Sequence, residues 1–301
     1  MGLLSSRAYA RLPTEQPNVR TRDIDLKNSL DIVRLIIDED RRVPLAVLRV
    51  AKPLARGVDA LARSLSAGGS VLLLGAGTSG RMAVLEAAEC PPTFNTTARQ
   101  VRAVIAGGPS SVFRAKEGAE DDPMLGRRAA SSARRIDVVI GVAASGVTPF
   151  VRAALREAKR RGARTILVTS NNRRDGRSAD IVIAPEVGPE VVTGSTRLKA
   201  GTAAKLVLNA LTTGAMIRIG KVYDHWMVDL RPSSRKLRLR AERIVSDLGR
   251  VKGARARALL RESGGSAKIA VLMARRDISS RDASRELARA GGVLRRALEE
   301  S

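Results

Sequence analysis

Two short stretches rich in glycine and hydroxyls are the first places where chemistry is expected: Gly75-Ala76-Gly77-Thr78-Ser79-Gly80-Arg81 and Ala144-Ser145-Gly146-Val147-Thr148-Pro149. Each follows an apolar run of strand length and precedes a helical pattern. Small residues there let the backbone approach an anion, while hydroxyls and the unpaired N–H groups of a helix start donate to it. GAGTSG satisfies the dinucleotide pattern G-x-G-x-x-G, but the next strand ends Ile105-Ala106-Gly107-Gly108 without the acidic residue a ribose requires. Arg81-Met82 stands where a nucleotide-binding P-loop needs Lys-Ser/Thr. A sugar phosphate fits these loops better than a nucleotide.

Carboxylates lie between the two in sequence: Glu86 and Glu89, then Glu117, Glu120, Asp121 and Asp122. Two carboxyl groups with divergent proton affinities suffice for acid–base work. Pro91 disfavours a helical Cys90, so Glu89 is expected at the C-terminal end of its helix, where the dipole favours the protonated form. Glu86, one turn earlier, reads as a solvated or salt-bridged helix residue. His225 is the only histidine and Cys90 the only cysteine, so a multi-histidine metal site, a Ser-His triad and a disulfide framework are all disfavoured. No metal or redox cofactor is expected.

The elements that must hold these residues alternate. Short apolar runs at 71–75, 101–108, 136–145, 163–170 and 179–185 read as five strands, with helices between most of them, 149–161 being the clearest. Continuous apolar strands alternating with helices predict an α/β fold, a parallel five-stranded sheet covered on both faces. Residues 1–66 read as an N-terminal helical arm, interrupted near Pro44 and Pro53, and 67–232 as the sheet domain, with a long helix over 199–219 packing on it. Residues 233–301 read as a C-terminal helical region.

Composition narrows the class. With 301 residues and 44% hydrophobic content the chain can bury a substantial core, and no apolar run approaches the roughly 20 residues of a membrane span. The opening MGLLSS matches an acylation pattern formally, with Ser6 in the sixth position, but the pattern is permissive. Lone cysteine usage and the lack of a signal-like run favour the cytoplasm. A formal charge of +24 raises the question of a polyanion partner, yet the arginines are spread through helical segments and only two Tyr, three Phe and one Trp are available for stacking. Solvated helix faces account for the charge, and no specific nucleic acid or membrane partner is expected.

GAGTSGRMAVLEAAECPPTF (75–94), EGAEDD (117–122), AASGVTPFV (143–151), GPEVVTGSTRLKAGTAAK (188–205) and MVDL (227–230), together with TEQPN (14–18), closely resemble the N-acetylmuramic acid 6-phosphate etherases over nearly the whole chain. These are lyases built on the SIS (sugar isomerase) domain. The resemblance implies removal of D-lactate from C3 of the amino sugar and addition of water, giving N-acetylglucosamine 6-phosphate, in peptidoglycan recycling. It implies Glu89 as the acid and Glu120 as the base. Gly77, Thr78, Ser79, Gly80, Ser145, Gly146, Thr148, Ser195, Thr196 and Lys199 are the expected substrate contacts. A non-catalytic sugar-phosphate-binding regulator and a phosphosugar isomerase are the alternatives. Two departures stand out: Val147 replaces a common arginine, and Asp224-His225-Trp226 differs from the usual Gly-Asn-Leu. A helix from Ser79 to Ala88 places Glu89 about 15 Å from the phosphate turn, too far for one monosaccharide to touch both. A homodimer with a shared site is therefore expected, a short or kinked helix being the other solution.

Overall fold

A computed structural model describes residues 10–171 and 179–299, so the acylation pattern at the amino terminus lies outside the described residues. The chain forms two compact units, residues 1–88 with 100–212 and residues 89–99 with 213–301. The sequence-derived divisions at 66 and 232 do not coincide with these: the arm shares a unit with the sheet.

The arm contains α1 (Ser29–Asp40), α2 (Val43–Arg49) and α3 (Ala51–Ser66). Asn28 caps α1 by accepting from Asp31 N–H, and Pro44 sits in the first turn of α2, where its missing N–H costs nothing. β1 (Val71–Gly75) leads into α4 (Gly77–Phe94), followed by β2 (Val101–Ile105), α5 (Pro123–Ala129), β3 (Val138–Val142), α6 (Pro149–Arg160), β4 (Arg164–Val168), β5 (Ile181–Ile183) and α7 (Lys199–Arg218). The five strands are parallel in the order β2-β1-β3-β4-β5. Leu72, Leu74, Val139, Phe150, Val151 and Leu155 pack one core layer of this unit. The expected five-stranded α/β architecture is present.

Helix α4 departs from expectation. It runs through Pro91 and Pro92 to Phe94 rather than stopping before Glu89. Each proline forfeits only its own N–H, Asn95 N–H still reaches Pro91 O at 3.0 Å, and the buried Cys90 and Phe94, one turn apart, hold the segment. Glu89 thus lies five residues before the helix end, beyond the last turn in which a dipole acts. Glu86 also departs: it is buried and accepts a hydrogen bond from the Thr212 hydroxyl of α7.

In the second unit, α8 (Arg235–Gly249), α9 (Gly253–Glu262), α10 (Ala267–Arg276), α11 (Ser280–Arg289) and α12 (Leu294–Glu299) bury Leu237, Ile244, Val245, Leu259 and Val271 in their own core. The unusual 224–226 segment forms a tight turn closed by a Tyr223–Trp226 bridge. Arg243 stacks over Trp226 and Arg295 over Tyr223, so the departure serves this helical unit.

Candidate active site

In a 2-1-3-4-5 parallel sheet the chain leaves β1 in one direction and β3 in the other, and the crevice beyond the carboxyl ends of those two strands is where ligands bind. Gly75 and Val142, the last residues of β1 and β3, are register partners. The two glycine- and hydroxyl-rich loops are therefore neighbours. Helix α4 begins at Gly77, so Thr78 and Ser79 occupy its first turn, and α6 begins at Pro149. Thr148 takes the cap position of α6 without spending its hydroxyl on the helix.

The second loop is braced from β4. Thr169 Oγ1 donates to Ala144 O (3.0 Å), Asn171 Nδ2 donates to Ser145 O (3.0 Å), and Val147 N–H donates to Ser145 Oγ (3.3 Å). Gly146 has φ +72°, and a Cβ there would meet Thr169 Oγ1 at 2.9 Å, so the turn needs glycine on both counts.

A cleft of about 1530 Å³ opens here, lined by Gly77, Thr78, Ser79, Ser145, Gly146, Thr148, Thr196 and Glu120, all of them expected from the sequence. Val147 lines it too, as do Glu15, Asp121, Arg127, Thr169 and Asn171, which sequence reasoning did not select. Of these, Glu15 inside TEQPN, Asp121 inside EGAEDD and Val147 in the second loop carried a prior signal.

Four expected residues are not among those lining the cleft. Gly80 packs the loop: a Cβ on it would press against Ile105 and Gly75. Ser195 closes a turn onto Val192 O. Lys199 is buried, its Nζ 2.6 Å from Glu39 Oε2, and so is committed to an ion pair. Glu89 is exposed on α4.

Glu120 sits in a single 3-10 turn (Ala119–Asp121) entered through Gly118 at φ +75°. Burial by the surrounding protein raises its proton affinity above the usual carboxylate range, and the like charges of Asp121 and Glu117 raise it further, even though part of its surface meets solvent. Asp122 has a different duty, its Oδ1 capping α5 through Met124 and Leu125 N–H. The cleft thus joins two helix-start loops to a carboxylate of raised proton affinity.

Residues 53–159 match the Glucokinase regulatory protein N-terminal SIS domain, and residues 118–214 match the SIS domain. N-acetylmuramic acid 6-phosphate etherase 2 of Vibrio cholerae serotype O1 is 46% identical over 299 residues, spanning 97% of this chain and 96% of its own. The N-acetylmuramic acid 6-phosphate etherase of Symbiobacterium thermophilum is 51% identical over 267 residues, 87% of this chain and 88% of its own. That of Mesorhizobium japonicum is 46% identical, covering 95% and 94%. With the SIS fold, the loops at the β1/β3 switch and near full-length identity at this level, the chain belongs to the N-acetylmuramic acid 6-phosphate etherase family.

Proposed function

We propose that the cleft cleaves the D-lactyl ether of N-acetylmuramic acid 6-phosphate, giving N-acetylglucosamine 6-phosphate and D-lactate. The observation that carries the reading is Glu120, a carboxylate of raised basicity, on the same cleft as two helix-start anion loops. The phosphate lies against the first turns of α4 and α6, held by Thr78, Ser79, Ser145 and Thr148. With the sugar in its open-chain aldehyde form, Glu120 removes the C2 proton, which the neighbouring carbonyl acidifies. The C3–O bond then breaks as an acid protonates the departing oxygen, and water adds across the resulting double bond.

Glu89 is that acid in our reading, supplied by a second copy of the chain. It is exposed, and α4 runs without a break from Gly77 to Phe94, which supports a shared site over a short helix. A homodimer is further supported by an apolar face on the arm. Leu30, Val33 and Ile37 on α1 and Leu45 and Leu48 on α2 are each 55–68% exposed, at spacings that put the α1 trio on one helix face and the α2 pair on another. The cytoplasm, where amino-sugar phosphates are consumed, is the proposed location; no helix among the described residues is long and apolar enough to cross a membrane.

Purified protein incubated with N-acetylmuramic acid 6-phosphate is expected to release D-lactate. A protein that binds the sugar phosphate and releases none is a regulator, and the lyase reading falls. Mixing a Glu89→Gln chain with a Ser145→Ala/Thr148→Ala chain is expected to restore activity; confirmed subunit exchange without recovery removes the shared site.

A further inference from the structure

The segment from Leu12 to Thr21 is fastened down more firmly than a leading strand of chain requires. Leu12 and Thr14 are completely buried. Gly194 N–H donates to Thr14 O at 3.2 Å, and Thr21 Oγ1 donates to Val191 O at 2.8 Å. Asn18 Nδ2 donates to Glu39 Oε2 at 2.9 Å, the same carboxylate that receives Lys199 Nζ and Arg20 Nε at 2.6 Å each. Glu190, fully buried, accepts the N–H groups of Lys199 and Ala200 at 2.9 Å each and so fixes the start of α7. The Thr14–Gly194 and Thr21–Val191 bonds join the arm to the loop of residues 189–196, and Glu39 and Glu190 tie arm and loop to the start of α7; the loop itself brings Gly194 and Thr196 to the cleft.

One functional group stands at the cleft end of the clamp. Glu15 lines the cleft with Thr78, Ser79 and Thr196. Its Oε1 accepts from Thr14 Oγ1 at 3.1 Å, and its Oε2 lies so close over the Gly194 backbone that a Cβ there would be 3.1 Å away. One carboxylate oxygen is thus engaged by the buried Thr14 hydroxyl and the other lies against the Gly194 backbone.

An ionised carboxylate only accepts hydrogen bonds, and it repels a phosphate. It cannot serve the anion end of the ligand. A polyhydroxylated chain attached to that anion offers donors, and an acceptor fixed in place discriminates strongly against ligands without them. We propose that Glu15 is a specificity-determining residue that accepts a hydrogen bond from a hydroxyl of the bound sugar phosphate. It selects the sugar while the loops at the strand ends select the phosphate. The inference rests on the reading of the cleft as a sugar-phosphate site.

The test separates the two ends of the ligand. N-acetylglucosamine 6-phosphate and inorganic phosphate are titrated calorimetrically into the full-length protein and its Glu15→Gln and Glu15→Ala variants, and steady-state constants are measured for lactate release. Glu15→Ala is expected to weaken the sugar phosphate, and raise KM, by about 10- to 100-fold, the loss typical of a hydrogen bond to a charged group. Glu15→Gln, which keeps the shape and can still accept from Thr14, should weaken both in the same direction by less. Inorganic phosphate affinity, kcat and the thermal midpoint stay within about twofold or a few degrees of the wild type. Glu15→Gln carries the decision if Glu15→Ala does not fold. Sugar-phosphate affinity within twofold of wild type in the folded variants overturns the proposal. So does a parallel loss of inorganic phosphate binding, which would make Glu15 a support for the loops, or a fall in kcat at constant KM. If the wild-type protein binds neither ligand, the reading of the cleft fails first, and Glu15 with it.

Discussion

Glu39 is buried and Glu120 is exposed, and the fold shifts the two carboxylates in opposite directions. Burial alone would raise Glu39, but hydrogen bonds from Lys199, Asn18 and Arg20 outweigh it and leave its proton affinity lowered. Burial raises Glu120 as well, and the nearest charges, Asp121 and Glu117, push it the same way. A charge that holds the arm to α7 is matched from several directions. Glu120, the base in our proposal, lies among like charges, which favour its protonated form.

The largest effect expected from this contrast is at Glu120. Glu120→Gln removes the base without changing shape, and lactate release should fall by about 10²- to 10⁴-fold with an unchanged unfolding midpoint. Because the base must be deprotonated and its affinity is raised, kcat/KM should drop as pH falls through a value above the usual 4.5. A pH profile whose acid limb lies at or below 4.5, or a Gln variant of near wild-type rate, breaks the contrast at its functional end.

Lys199→Met tests the structural end. It strips one partner from a pair in which both side chains are 2% exposed, and loss of one member of a buried ion pair costs about 3–5 kcal/mol. Arg20 and Asn18 remain on Glu39, which favours the lower part of that range. Urea unfolding should show the loss, and the double variant Glu39→Gln/Lys199→Met should recover much of it. A single variant as stable as the wild type makes the pair incidental.

Lys199 also marks where sequence reading ends. Its position beside the hydroxyls of GSTRLK made it look like a ligand contact, and nothing local reveals a carboxylate 160 positions earlier that claims its ammonium. Glu86 and Thr212 are joined over 126 positions in the same way. Such pairs leave no periodicity. The strands, by contrast, were legible because each is a short apolar run bounded by turn residues, and the site was legible because parallel order puts the ends of β1 and β3 side by side. The extent of α4 was misread because a proline pair is a strong local stop signal, and the burial of Cys90 and Phe94 that overrides it is a tertiary fact.

A version of the Glu39 arrangement lies just before β1 and β3, and it gives the contrast a pH signature in stability rather than rate. Asp137, its side chain 4% exposed, accepts Ser70 N–H at 2.8 Å and Arg134 Nη2 at 2.9 Å on one oxygen, and Arg134 N–H at 2.8 Å and Nε at 3.1 Å on the other. Burial works to raise it, but these donors prevail and its proton affinity is lowered below the usual 3.8. A carboxylate lowered on folding contributes stability that is fully present above 3.8 and is lost as pH falls through the lower folded value. Arg134 is 58% exposed, so solvent weakens its side-chain share and the two backbone N–H groups carry most of the effect. Asp137→Asn should therefore cost about 1–3 kcal/mol at neutral pH, since the amide presents a donor to a site built of donors. The gap between variant and wild type should narrow as pH falls below 3.8 and close below the lower folded value, where the folded carboxyl is itself protonated. Parallel stability curves across that range would mean that Asp137 contributes by shape and not by charge, and the likeness to Glu39 would be lost.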